Sequence, residues 1–284
     1  MNSEFAAFVR RKKQEALAAA LSPYVTAFDG HDVEAMAIGS AWSKALFDGN
    51  FYTSAPPEPS RPACNLVFVQ SKDGNTGGRN PTALGGGETD KHLIYEGLSR
   101  VAADAVMSGA ETIRRGHIIF SVWHPELVSL RTSLGKPRHP TQIVATLTGV
   151  DLDRGMMFNL PEIPVVVITV GPVAALLQNA LAARPWITPV VMERASDLAS
   201  AFGQLRLLGI ERVSCVGGRR IAAQLIDAGL VQDLYLTTSP CRGGEPDTPI
   251  HPRPLDGRVL VRKVGTGAET GVTFEHISLT GRRS

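Results

Sequence analysis

The chain of 284 residues is short of cysteine, of net charge and of long apolar runs, and each shortage excludes something. Its three cysteines, Cys64, Cys215 and Cys241, are widely spaced and form no C-x-x-C, which argues against a disulfide framework and against a zinc site, so no metal is expected. A reducing cytoplasm is the compartment that fits. Basic residues number 29 and acidic ones 27, a formal charge of +2, so charge gives no case for nucleic acid. The longest strongly apolar run, Val165–Val170, is far short of the ~20 residues a membrane span needs. Arg10-Arg11-Lys12-Lys13 lie inside a periodic helix, not before an apolar core, so no secretory signal is expected. Apolar residues are nonetheless 43% of the chain, enough for one large domain or one domain with an appendage.

The chemistry starts at Val213–Val216, a short apolar strand, followed by Gly217-Gly218 and then Ile221, Ala222, Leu225, Ile226 and Leu230 at helical spacing. Two glycines between a strand and a helix let a ligand approach the backbone, and a helix start favours negative charge. Arg219 and Arg220 add positive charge there. The reading is a phosphate site, most simply for a nucleotide diphosphate. An ordinary loop is the other reading, since the stretch is neither G-x-G-x-x-G nor a P-loop.

In chain order, residues 2–21 place Phe5, Phe8, Val9, Ala16, Leu17, Ala20 and Leu21 on one helical face. Asp32 can cap a second helix carrying Val33, Met36, Ala37, Ala41, Ala45 and Leu46. Ala55 to Pro62 is Pro-rich and stiff. The expected organisation is a helical extension over 1–55, a linker over 56–62 and a body over 63–280. The body opens with the strand Asn65–Gln70, then Ser71-Lys72-Asp73-Gly74, a turn in which Asp73 serves either backbone geometry or function. A Gly- and Asn-rich loop, 75–87, leads to a helix capped by Thr89 or Asp90. The strand Asp104–Ser108 meets Gly109 and a short helical start at Thr112, a second turn of the same kind; Thr112 offers a hydroxyl to a ligand or to first-turn capping. Residues 124–140 read as loop. Strands follow at 141–147, 164–170, 188–192 and 231–238 with helices between, and 258–264 and 273–279 close the chain as an antiparallel pair. Alternation of strands and helices, then strands alone, gives a three-layer α/β/α body with a mixed, mostly parallel sheet.

Taken together, Ser71-Lys72-Asp73-Gly74, Arg100 with Asp104-Ala105-Val106, Gly109 and Thr112, Pro125-Glu126-Leu127 with Arg131, Val216-Gly217-Gly218, Gly229-Leu230-Val231-Gln232-Asp233, and Pro240 with Gly243-Gly244 resemble the pyrimidine reductase domain of riboflavin biosynthesis, a relative of dihydrofolate reductase. The resemblance covers roughly 63–280. It implies an NADPH-dependent reductase of a small heterocycle, of pyrimidine or pterin type, and a homodimer. It makes Gly109, Thr112, Gly217, Gly218, Arg219, Arg220 and Ile221 cofactor contacts, with Thr89 and Thr148 as weaker candidates. Ser71, Arg100 and Val216 fall on the substrate side, and Asp73 or a bound water supplies the proton.

Two departures stand against the pattern. The glutamate that precedes Gly-Gly in the family is Val216 here, which cannot accept a hydrogen bond from a polar pyrimidine. No deaminase-type His and Cys pattern accompanies the body. A cofactor-binding protein of the same fold without turnover is therefore the alternative, and a purely structural role ranks last.

Overall fold

The computed structural model describes residues 3–31, 35–78, 84–114 and 117–279. The N-terminal segment forms α1 (Ser3–Ala18), β1 (Tyr24–Asp29), β2 (Met36–Ile38), α2 (Ala41–Phe47) and β3 (Phe51–Thr53). The body begins with β4 (Ala63–Gln70). α3 (Gly87–Thr89) then runs through a π-helical stretch, Asp90–Leu98, into α4 (Ser99–Val101). β5 (Ala105–Gly109), α5 (Ala110–Ile113), α6 (Pro125–Ser133), β6 (Thr141–Ala145), β7 (Val165–Val170), α7 (Gly171–Ala182) and β8 (Ile187–Met192) follow. α8 (Leu198–Leu207), β9 (Arg212–Cys215), α9 (Arg219–Asp227), β10 (Asp233–Thr238), β11 (Arg258–Gly265) and β12 (Thr273–Ser278) complete the order.

Ten strands make one sheet in the order β1-β11-β12-β10-β4-β9-β5-β6-β7-β8. Pairings from β10 to β8 are parallel, and those among β10, β12, β11 and β1 are antiparallel. β7 and β9 are inner strands, as expected of runs that are apolar without alternation apart from Thr169 and Ser214. Alternate residues of one strand feed opposite cores. Val106, Val144, Val165 and Val167 join one apolar cluster, whereas Met107, Ile143, Val166 and Ile168 join the other. Both faces are thus covered, which is the three-layer arrangement. Asp104 sets the start of β5 against β9: its Oδ2 accepts from the N–H groups of Glu211 at 3.0 Å and Arg212 at 2.9 Å, and its Oδ1 meets Lys136 Nζ at 2.6 Å.

Several local expectations need correction. The extension expected to be helical over 1–55, with a second helix from Asp32 to Leu46, also carries the strands β1, β2 and β3, and β1 lies on the edge of the main sheet against β11. The helix that does form there is shorter and is capped by Ser40 in a reciprocal bond with Ser43. Asp32 and Val33 lie outside the described residues. Phe5, Phe8 and Ala16 of α1 are buried, but Leu17 is 55% exposed. The expected loop 124–140 contains α6, begun by His124, whose Nδ1 accepts from Glu126 N–H, with Pro125 in the first turn where no N–H is needed. Arg131 of α6 is buried and donates to the carbonyls of Arg100, Val101 and Ala103, satisfying the end of α4.

Candidate active site

β4, β9, β5, β6, β7 and β8 run parallel, so their carboxyl ends share one edge of the sheet. The segments leaving that edge enclose a cleft of about 1520 Å³. Open α/β sheets bind ligands in this position.

At its centre the two glycine turns meet. β5 and β9 are neighbours, with Met107 opposite Cys215, so the turns after them touch backbone to backbone. The Gly109 N–H donates to the Gly217 carbonyl at 3.3 Å. Gly217 and Gly218 have φ of +148° and +87°, values that disfavour any side chain. A Cβ on Gly218 would stand 3.5 Å from the Gly109 nitrogen and 3.2 Å from Ile221 Cγ2. α9 begins there, and its first N–H groups and positive dipole end face the cleft with Arg219 and Arg220. α5 is four residues long and offers only its N–H groups and the Thr112 hydroxyl.

A different set of groups lines the end near β4. Asp90, at the start of the π-helical stretch, is 8% exposed. The Thr237 hydroxyl donates to its Oδ1. Burial raises the Asp90 carboxyl to about 7; the Thr237 hydrogen bond works against this, and the charge of Glu269 adds to it. Gly86 passes so close that a Cβ there would be 2.7 Å from Asp90 Oδ2. Further along the same helical segment, Arg100 is 1% exposed. Its Nη1 donates to the Ser121 carbonyl at 3.1 Å, and its guanidinium lies 4.4 Å from the Tyr95 ring centroid. Its Nε and Nη2 have no hydrogen-bond partner. Glu96 also lines the cleft. Burial would raise its carboxyl, but His92, Lys12 and Arg100 together hold it at about 2, so it is an anion at neutral pH.

The structure brings Arg100, Gly109, Thr112, Thr148, Val216, Gly217, Gly218, Arg219, Arg220 and Ile221 to this one cleft. It takes three other candidates elsewhere. Ser71 is buried and donates to the Gly243 carbonyl at 2.8 Å. The Asp73 carboxylate accepts from the Gly243 N–H at 3.1 Å and faces Arg242, so it staples the turn to the 240–254 loop. Thr89 exchanges two hydrogen bonds with the backbone of Ser22 and is fully buried, tying the N-terminal segment to the body. Asp90 and Glu96 were not singled out as site residues by sequence. Their environment depends on Thr237, Glu269 and Lys12, all far away in the chain.

The model of the RibD C-terminal domain family matches residues 62–268, well over half of the chain. The chain belongs to the RibD C-terminal domain family. It is an oxidoreductase of the pyrimidine reductase type. Among solved structures, a pyrimidine reductase-like protein of Corynebacterium diphtheriae is similar at 19% identity and a TM-score of 0.57, over 77% of this chain and 92% of that one. A riboflavin biosynthesis reductase of Saccharomyces cerevisiae gives 17% identity and 0.55, over 78% and 90%. A deaminase and 5-amino-6-(5-phosphoribosylamino)uracil reductase of Thermotoga maritima gives 16% and 0.56, and the match spans only 57% of that longer chain. At these identities the likeness is one of fold. No curated protein matches the chain. No helix among the described residues is long and apolar enough to cross a membrane, and no group of three or more His, Cys, Asp or Glu there could hold a metal ion.

Proposed function

We propose that this RibD-type domain is an NADPH-dependent reductase of a small pyrimidine- or pterin-like heterocycle. The observation that carries the reading is the pair of glycine turns, backbone to backbone at mid-cleft, with a buried carboxyl of raised pKa and an incompletely bonded arginine at one end. The donor set fits a dinucleotide. Gly217, Gly218, the first turn of α9 and Thr112 would hold the diphosphate, with Thr148 and Ile221 beside it, and Arg219 or Arg220 would meet a 2′-phosphate. A nicotinamide bound there supplies a hydride.

The chain's own residues do the remainder. Burial disfavours the Asp90 anion and lifts the carboxyl to about 7, so a large share of molecules hold a proton there at neutral pH that can go to a ring or imine nitrogen. Asp90 takes the part that Asp73 or water held in the sequence reading. Arg100 orients the substrate through two nitrogens in one plane. Val216, 6% exposed, forms an apolar wall where the family has an acceptor. A homodimer and a cytoplasmic location, both carried over from the sequence reading, belong to the same proposal.

The test is binding followed by turnover. NADPH is titrated by calorimetry, and its oxidation is followed with phosphoribosylaminopyrimidine and dihydropterin candidates. Tight NADPH binding with steady oxidation on one of them is expected. Absence of nucleotide binding would overturn the reading.

A further inference from the structure

A second set of buried titratable groups lies outside the cleft, where the N-terminal segment meets the antiparallel edge of the sheet. His31 follows β1 and packs on Tyr52, with ring centroids 3.7 Å apart. His276 of β12 stands opposite Tyr235 of β10. Four side chains join in a row. Asp29 Oδ1 lies 2.9 Å from His31 Nδ1, His31 Nε2 lies 3.0 Å from His276 Nδ1, and His276 Nε2 lies 2.8 Å from Asp233 Oδ1. The side chains of His31, His276 and Asp233 are 6%, 2% and 2% exposed. Asp233 also accepts from the Ser54 N–H at 2.9 Å and from the Ser54 hydroxyl at 2.7 Å. Residues 29–31 and 52–54 of the N-terminal segment and linker are thus fastened to β10 and β12 of the body.

The row has room for three protons and no more. Each of its three contacts needs one. Two neutral imidazoles bring two, so the closed row contains one imidazole and one imidazolium. The carboxylates take the outer protons, and the inner one is shared between His31 Nε2 and His276 Nδ1. A fourth proton has no acceptor, because both inner nitrogens would then be donors facing each other at 3.0 Å. The remaining neighbours cannot relieve this. Lys263 of β11 adds positive charge, and the Tyr235 hydroxyl is spent on the Tyr52 carbonyl at 2.8 Å. Burial sets the His31 ring below its ordinary value; the Asp29 hydrogen bond works against this, and the charges of His276 and Lys263 add to it.

We propose that the His31–His276 contact is an acid-opened clasp, which holds the N-terminal segment on the edge of the sheet while one inner nitrogen is free to accept, and releases it when both rings are protonated. The release is local. Thr89 still binds Ser22 and Lys12 still binds Glu96, so α1 keeps its place while β1 loosens from β11. A histidine in the open form titrates near its ordinary value of ~6.5, and His31 in the closed form titrates below it. The clasp is therefore at full strength above the open-form value and weakens as pH falls from there toward the closed-form one.

Hydrogen exchange of the full chain, followed by mass spectrometry at pH 7.5 and pH 5.0 and corrected for the intrinsic rate at each pH, reads the clasp. Peptides from β1 should lose protection on acidification by up to about 30-fold, the factor by which protons favour an open histidine at pH 5.0 over a closed one that takes none. Peptides from the inner strand β7 should keep theirs. His31→Gln removes the titrating ring, and its β1 protection should be the same at both pH values. If that variant folds poorly, the imidazole nitrogen resonances of the wild type decide: the pair should gain its fourth proton between pH 7.5 and pH 5.0 in step with the loss of β1 protection. Unchanged β1 protection in the wild type, an equal loss in His31→Gln, or a fourth proton gained with protection intact overturns the proposal.

Discussion

Asp90→Asn separates the catalytic reading from a structural one. The substitution keeps the shape of the side chain and an oxygen for the Thr237 hydroxyl, but removes the ionisable proton. Two quantities should change. Turnover should fall by roughly 10²- to 10⁴-fold, the usual contribution of a positioned acid, with nucleotide affinity preserved. Wild-type turnover should decline above about pH 7, as Asp90 loses its proton, whereas the residual activity of the variant should lack that limb. Stability should change with the opposite preference. Burial lifts the Asp90 carboxyl from the ordinary aspartate range to about 7, some three powers of ten in proton affinity, or ~4 kcal/mol. The folded state therefore holds a proton that the unfolded chain has released between about pH 4 and pH 7. Stability from this group is present below that window and is lost as pH rises through it. Urea unfolding at pH 4.5 and pH 8 should show Asp90→Asn gaining on the wild type at the higher pH, by an amount approaching the upper figure of ~4 kcal/mol. An advantage independent of pH, or full turnover in the variant, would refute the assignment.

Four further outcomes follow from the geometry. Gly218→Ala places a Cβ against Ile221 and the Gly109 nitrogen at a positive φ, so it should weaken NADPH binding at least about tenfold and cost ~1–2 kcal/mol in urea unfolding. Arg219→Ala with Arg220→Ala should bring the NADPH and NADH dissociation constants together, a loss of roughly 10- to 100-fold in discrimination, with little change in melting temperature because Arg219 is exposed and only loosely paired with Glu245. Asp104→Ala strands the Glu211 and Arg212 N–H groups and should cost about 2–4 kcal/mol, read by denaturant midpoint. Val216→Glu should improve reduction of the phosphoribosylaminopyrimidine; if the wild type already turns it over at about 1 per second or faster, the reasoning about Val216 fails.

What could be read from sequence was whatever one short segment decides alone. Val165–Val170 is apolar at every position but Thr169, and only a strand covered on both faces has that pattern. Gly217-Gly218 announced a turn because two adjacent residues needed freedom in φ, and both have it. The N-terminal segment misled because Met36, Ala37 and Ala41 mimic helical spacing although the first two lie in β2 and only Ala41 begins α2. The better signal was Ser40 with Ser43, a reciprocal cap immediately before the true helix. Pro125 read as loop, although proline suits the first helical turn. The site was half legible for a related reason. Glycine turns are local, whereas the state of Asp90 is set by Thr237 and Glu269, and that of Glu96 by Lys12, across separations no periodicity records. Asp73 had the right neighbours in sequence, but its carboxylate is committed to Gly243.

The antiparallel edge of the sheet has a practical side. The family match stops at residue 268, before β12, and starts at 62, after β1. β12 is the strand through which β11 reaches the sheet, and β1 covers the far side of β11. A protein trimmed to the matched segment would therefore leave the N–H and C=O groups of β10 bare along one side, with β11 unattached. Such an edge recruits other chains. Insolubility of that fragment would reflect exposed sheet, not an inactive fold, and either end of the chain is a poor place to begin shortening it.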